Sequence, residues 1–181
     1  MDFGRLRIAL VGGAGFIGHH LALRLQEFGS ETHVVDGLQV NHLGYYASGY
    51  VSNPNAELYL WFLNERLRLL RAAGVHLHIL DARDYSLISS TISAVQPDVV
   101  IHLAAIAHAN RSNKDPFSTF DHSMRTLENV LDSVRESGAH VIYFSSSMVY
   151  GDFQSKKVTE DATCDPKGIY GALKYGAEML V

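Results

Sequence analysis

Apolar and polar positions along the chain fall into two alternating rhythms. Leu6 to Val11 is a short apolar run that ends in glycines, and Phe16 to Phe28 then places Ile17, Leu21, Leu25 and Phe28 on one helical face. The order is strand, glycine turn, helix. Thr32 to Val35 reads as a second strand closing on Asp36, Val75 to Leu80 as a third, Val99 to Leu103 as a fourth and Val141 to Phe144 as a fifth. Helical spacing fills Glu57 to Ala73, Tyr85 to Val95, Phe117 to Ser137 and the stretch from about Tyr170 to the end. Between the second strand and the second helix, Gly37 to Asn55 is rich in Gly, Asn, Ser and Tyr without a period, and reads as a long irregular connection.

Strands that alternate with helices need crossover connections, and crossovers produce parallel neighbours. The first, fourth and fifth strands are almost wholly apolar, as a sheet buried on both faces requires. The expected fold class is therefore α/β, a doubly wound parallel sheet. The final apolar positions, Met179, Leu180 and Val181, have no capping residue or glycine after them, so the expected organisation is one domain over 1–181 that is truncated at its C-terminal end.

Composition narrows the partners. With 181 residues, 47% hydrophobic and 19% charged, the chain suits one domain with a real core. A net charge of −4 gives no basic stripe for neutralising phosphates, so no nucleic-acid partner is expected. Cys164 is the single cysteine and cannot form an internal disulfide, and no charged segment followed by an apolar one opens the chain, which points to the cytoplasm. Charged, His or Gly residues interrupt every apolar run before the ~20 residues of a membrane span, so no membrane partner is expected either.

The chemistry begins at Gly12-Gly13-Ala14-Gly15-Phe16-Ile17-Gly18. A glycine turn between a strand and a helix brings backbone N–H groups and the positive helix end against a pyrophosphate, as in Rossmann-type dinucleotide sites. The spacing G-x-x-G-x-x-G, on Gly12, Gly15 and Gly18, differs from the G-x-G-x-x-G of many dehydrogenases. Asp36 ends the second strand, where a carboxylate accepts both ribose hydroxyl protons and repels a 2′-phosphate, which favours NAD over NADP. A turn cap is the plainer role for such an aspartate; beside the glycine turn, ribose binding is preferred. Asp81 ends the third strand and has two roles open to it, acceptor for an adenine amino group or N-cap of the next helix, although Asp84 is better placed as the cap.

After the fifth strand come Ser145-Ser146-Ser147-Met148-Val149-Tyr150-Gly151 and then Tyr170-Gly171-Ala172-Leu173-Lys174. The Y-x-x-x-K spacing puts phenol and ammonium on one helix face, where a cation favours the phenolate and makes tyrosine a usable base near neutral pH. An isolated instance would more simply be an aromatic ring packed on a lysine stem. The serine run ahead of it shifts that balance.

Taken in order, G-x-x-G-x-x-G, His102-Leu103-Ala104-Ala105, S-S-x-x-V-Y-G and Y-x-x-x-K resemble the extended short-chain dehydrogenase/reductase family, over essentially the whole chain. Pro97 to Ile101 and Thr159-Glu160-Asp161 leading to Pro166 look like that family's connecting segments. The resemblance implies NAD-dependent epimerisation or dehydration of a nucleotide-linked sugar. It makes Tyr170 the catalytic base and acid, Lys174 the group that stabilises its phenolate and binds the nicotinamide ribose, and Ser146 the hydrogen-bond partner of the reacting sugar oxygen. Gly12, Gly15, Phe16, Ile17, Gly18, Asp36, Asp81, Ala82, Leu103, Ala104 and Ala105 would line the cofactor cleft together with Tyr170 and Lys174, with His102 packing or orienting. The long helix at 117–137 and the helix carrying Tyr170 imply a homodimer, as in relatives, and the family ordinarily continues into a substrate-binding portion that is not found here.

Departures choose among reactions. Dehydratases of the family carry Asp-Glu after the catalytic Thr, and decarboxylases a Glu just before Val-Tyr-Gly; here those places hold Ser147 and Met148. Methionine exchanges no proton, whereas epimerisation needs only the Tyr-Lys-Ser set and a keto intermediate that turns over in the site. Epimerase is preferred to dehydratase or reductase, and a sensing or scaffold module that binds NAD without turnover is the alternative from another class. His122 stands where the family has Asn, Arg125 where it has Gly, and Leu173 where Ser is common.

Other signals are discounted. His76 and His78 share a strand face, but no Cys or carboxylate cluster joins them in the sequence, so no metal is expected. His19 and His20 should diverge by about 100° around their helix, and Arg66, Arg68 and Arg71 read as a solvated helix face.

Overall fold

The computed structural model describes residues 4, 6–39, 42–49, 52–106, 109–153 and 155–181. Five strands, β1 (Arg7–Val11), β2 (Glu31–Asp36), β3 (His76–Ile79), β4 (Val99–His102) and β5 (His140–Tyr143), form one sheet in the order β3-β2-β1-β4-β5. Every neighbouring pair is parallel. Val11 at the end of β1 lies opposite Val35 on one side and His102 on the other. The chain thus winds outward from β1 in both directions. A crevice opens where such windings part, outside the C-terminal ends of the central strands.

Alternation along β1 explains the two cores. Ile8 and Leu10 face α1 (Phe16–Glu27) and α3 (Ala56–Ala72), packing on Ala22, Leu25, Leu67 and Leu70 with Val34 of β2. Ala9 and Val11 face the other way, with Val35 and Val100, onto Ile88 and Ile92 of α4 (Tyr85–Val95) and Val130 and Val134 of α7 (Thr126–Val134). Each such Val, Leu or Ile side chain contributes about 1.5–3 kcal/mol on burial.

Three elements differ from the sequence pattern. The 37–55 connection contains α2 (Leu43–Ala47), capped by the His42 ring, which accepts a hydrogen bond from the Tyr45 amide at 2.7 Å. Tyr46 of α2 stacks on Tyr59 of α3 with centroids 5.4 Å apart. Five residues are too few to show a period; 40, 41, 50 and 51 of this connection lie outside the described residues. A second short helix, α5 (Ala109–Lys114), was also not legible.

The long helix at 117–137 proves to be three joined segments. Asp115 caps α6 (Pro116–Phe120) by accepting from the Ser118 amide at 3.1 Å, a π-helical turn runs over Asp121–Arg125, and α7 follows to Val134. No Pro or Gly marks the turn in the sequence. The last elements are a 3-10 turn at Ser147–Tyr150 and α8 (Gly168–Glu178). Among the described residues no helix is long and apolar enough to cross a membrane.

Candidate active site

The glycine turn is strung between three strands. Gly12 has φ +82°, and a Cβ there would lie 2.7 Å from the Ala104 amide nitrogen, so a side chain is excluded both by conformation and by the approach of the segment after β4. Its N–H donates to the Val35 carbonyl at 2.8 Å. The Asp36 carboxylate accepts from the Ala14 amide at 3.0 Å and from the Leu38 amide at 2.8 Å, tying the turn to the end of β2. Burial pushes the Asp36 pKa up, and the two amides oppose that rise. No side chain caps the N-terminus of α1 at Gly15, and its first turn holds no acidic residue. Helix amides and the positive helix end therefore face the cleft without a negative group of their own.

The cleft is a cavity of about 310 Å³. It is lined by Gly12, Gly15, Phe16, Ile17, Gly18, Asp36, Asp81, Ala82, Leu103, Ala104 and Ala105, which the sequence had placed around a dinucleotide. Val35, Gly37, Gln39, His122 and Thr126 line it as well, and sequence reasoning had assigned none of these to the cofactor cleft. Val35, Gly37 and Gln39 follow from their nearness to Asp36. His122 lies in the π turn and Thr126 directly follows it; π turns commonly mark functional sites. The only sequence signal was the exchange of the family's Asn for His122.

Asp81 does not cap a helix. Asp84 performs that task for α4, accepting from the Leu87 amide at 3.1 Å. Asp81 is instead held by the Arg83 guanidinium at 2.6–3.0 Å, and Arg83 also donates to Asp121 of the π turn at 2.8 Å. Asp121 accepts in addition from Arg125 at 2.9 Å. Hydrogen bonds from arginine hold both carboxyl pKa values below the usual range.

The three catalytic candidates lie outside the lining of this cavity. Ser146 has an extended backbone and caps the 3-10 turn, its Oγ accepting from the Met148 amide at 3.2 Å. Lys174 is buried on α8, donating from Nζ to the Phe144 carbonyl at 2.6 Å and lying 4.5 Å from the centre of the Tyr143 ring. Burial lowers its pKa to about 8. Tyr170 is half-buried one helical turn earlier, where Gly171 lets α8 meet the 3-10 turn. A Cβ at Gly171 would come within 2.6 Å of the Met148 carbonyl oxygen. The Tyr143 hydroxyl pKa is pushed up by burial first and by the nearby Tyr170 second.

Next to Lys174 the His102 ring is wholly buried, stacks on Tyr143 at 5.8 Å, and has its pKa lowered to about 3 by burial and then by the lysine charge. Both effects favour the neutral ring. On α1 and α3, two arrangements depart from what helix spacing predicts. The His19 and His20 rings converge, with centroids 3.9 Å apart, as His19 turns back to hydrogen-bond with the Gly15 carbonyl at 3.0 Å. Arg66 is half-buried with its guanidinium 5.8 Å from the centre of the Phe16 ring, whereas Arg68 is exposed and pairs with Glu65.

Comparison with known proteins gives consistent matches. The sequence profile described as the NAD dependent epimerase/dehydratase family matches residues 8–181. A UDP-glucose 4-epimerase of Lacticaseibacillus casei is 27% identical over 177 residues, covering 97% of this chain and 46% of the relative. A dTDP-glucose 4,6-dehydratase of Mycobacterium tuberculosis is 28% identical, with 97% and 48% covered. Among solved structures, a UDP-glucose 4-epimerase from Brucella ovis in complex with NAD superposes with a TM-score of 0.74 at 26% identity, covering 97% of this chain and 46% of that one. The chain spans about half the length of the curated relatives it matches.

Proposed function

Because the chain belongs to the NAD dependent epimerase/dehydratase family, whose cofactor is NAD, we propose that it serves the 4-epimerisation of a nucleotide-linked sugar through a transient keto intermediate. One observation carries this reading: Lys174 is buried against the end of β5 on the same helix as Tyr170, and that helix is packed on the turn that Ser146 caps.

The cleft suits the dinucleotide by its own geometry. The backbone approach at Gly12 leaves a cradle that a Cβ would fill, the α1 amides face it uncapped, and Asp36 stands where ribose hydroxyls would donate. NAD, when bound in this cleft, would supply the reversible hydride acceptor that the oxidation and re-reduction of the sugar carbon require. Tyr170 takes the carbinol proton onto its phenolate oxygen and gives it back when the keto sugar has turned over. Lys174 stabilises that phenolate and holds the nicotinamide ribose, and Ser146 hydrogen-bonds the sugar oxygen at the reacting carbon. Met148 and Ser147 supply no carboxylate for removing water, which favours epimerisation over the dehydration named for the mycobacterial relative.

The assembly proposed is a cytoplasmic homodimer paired through α6, α7 and α8. Phe117 and Phe120 on α6 are 84% and 51% exposed, as unpaired contact residues would be.

Incubation of the protein with NAD and a panel of UDP- and dTDP-sugars, with products read by chromatography and mass spectrometry, tests the reaction. A new peak of unchanged mass is expected. Loss of water would move the assignment to the dehydratases, and NAD binding without conversion would favour a sensing or scaffold module or a substrate outside the panel.

A further inference from the structure

At the opposite end of the sheet from the cleft, β2 and β3 place four chemically capable side chains on one face. Glu31 and His33 alternate onto the same side of β2, and the parallel register sets His33 opposite His76 on β3, with His78 two residues further on. One carboxylate and three imidazoles are thereby gathered from two segments that the sequence separates widely.

Their ligand atoms lie close enough to share one ion once the exposed His76 ring turns. A ligand atom from each of Glu31, His33 and His76 lies within 4.8 Å of the others. His33 Nε2 and the Glu31 carboxylate oxygen are 3.1 Å apart. Two ligands of one tetrahedral zinc ion, each bonded at about 2.0–2.2 Å, stand roughly 3.3 Å from each other, so this pair needs only a small adjustment. On the far side of the ring, His33 Nδ1 lies 3.0 Å from His78 Nε2. A ring that binds metal through one nitrogen usually donates its other N–H to a fixed acceptor, which sets tautomer and orientation. His78 is placed to be that acceptor.

We propose that Glu31, His33 and His76 form a binding site for a divalent transition metal ion of the zinc class, with His78 positioning His33 and water completing the coordination. Imidazole nitrogen with a single carboxylate suits Zn²⁺ better than the hard, oxygen-seeking Ca²⁺ or Mg²⁺. His33 is buried, so its ring is held firmly, while Glu31 and His76 are exposed and free to close on an ion. The His33 and His76 rings stack at 4.6 Å with planes 18° apart. Ring-plane lone pairs of stacked imidazoles do not converge, so binding turns the exposed His76 out of the stack. The ion then bridges β2 to the edge strand β3. Nothing in this site touches the NAD cleft, and it stands or falls independently of the proposed reaction.

The test is isothermal titration of the EDTA-treated protein with Zn²⁺, and with Co²⁺ followed by its visible absorption. One equivalent of Zn²⁺ bound with Kd below about 10 μM, and a Co²⁺ spectrum of tetrahedral type, are expected. Glu31→Gln and His76→Asn alter exposed side chains and leave the far-UV circular dichroism unchanged, and each should weaken Zn²⁺ at least tenfold. Weaker binding by the unaltered protein, or a loss below tenfold in either variant, overturns the proposal.

Discussion

The Lys174 ammonium donates a 2.6 Å hydrogen bond to the carbonyl of Phe144, 30 residues earlier, where β5 has just ended. That bond fastens the helix carrying Tyr170 to the sheet edge next to Ser146. It also holds a cation in a buried place, and burial brings its pKa down to about 8.

Lys174 should leave a mark on the pH dependence of stability. An unfolded lysine titrates near ~10.4, so between about pH 8 and that value the unfolded chain binds more protons than the folded one. Stability therefore rises with pH across this window, and the penalty of the buried charge is fully present below it. The expected gain is on the order of 3 kcal/mol. Urea unfolding at pH 7.5 and pH 10 should show this gain in the natural protein and not in Lys174→Met; parallel changes in the two would contradict it.

Gly171 and Gly176, both on α8, should respond in opposite directions to alanine. A Cβ at Gly171 meets the backbone of Met148, which cannot swing aside, so Gly171→Ala should cost about 1–3 kcal/mol. Around Gly176 a Cβ meets nothing within 4 Å, and Gly176→Ala should stabilise the helix by about 0.5–1 kcal/mol. Thermal or urea unfolding of the two variants decides the matter.

Asp36→Ala removes the acceptor for the Ala14 and Leu38 amides as well as the carboxylate facing the cleft. Unmade hydrogen bonds of this kind cost about 1–3 kcal/mol each. NADH affinity should fall by roughly tenfold or more, and the preference over NADPH should shrink, as read by fluorescence titration of both. Equal affinities before and after substitution would reject the ribose assignment.

Tyr170→Phe keeps the ring and removes only the hydroxyl. Turnover should fall by about 10²-fold or more, as for loss of a general acid/base, while NAD affinity stays within a few-fold. Activity that survives would show that another group moves the proton.

How much of this was legible in the sequence depends on whether the signal is local. Leu6 to Val11 and Val99 to Leu103 announce buried central strands because both their faces meet helices, and the glycine turn with Asp36 is a local pattern that folds as one unit. The π turn at Asp121–Arg125 carries no Pro or Gly, so the placement of His122 and Thr126 at the cleft is invisible in the spacing. Asp81 was ambiguous because its partner network runs through Arg83 to Asp121, a contact made only on folding. Likewise Glu31 and His33 join His76 only through the strand order β3-β2-β1-β4-β5, which periodicity does not encode. Arg66 was read from helix spacing as solvated, but α1 packs beside α3 and brings the Phe16 ring to it.

The reaction itself can be followed with a UDP-sugar carrying deuterium at C4, incubated with the protein and NAD. The expected product is an epimer of unchanged mass that keeps its deuterium at C4, because the hydride leaves and returns at the same carbon while Tyr170 exchanges only the hydroxyl proton. Deuterium lost to solvent, or a product lacking water, would contradict it.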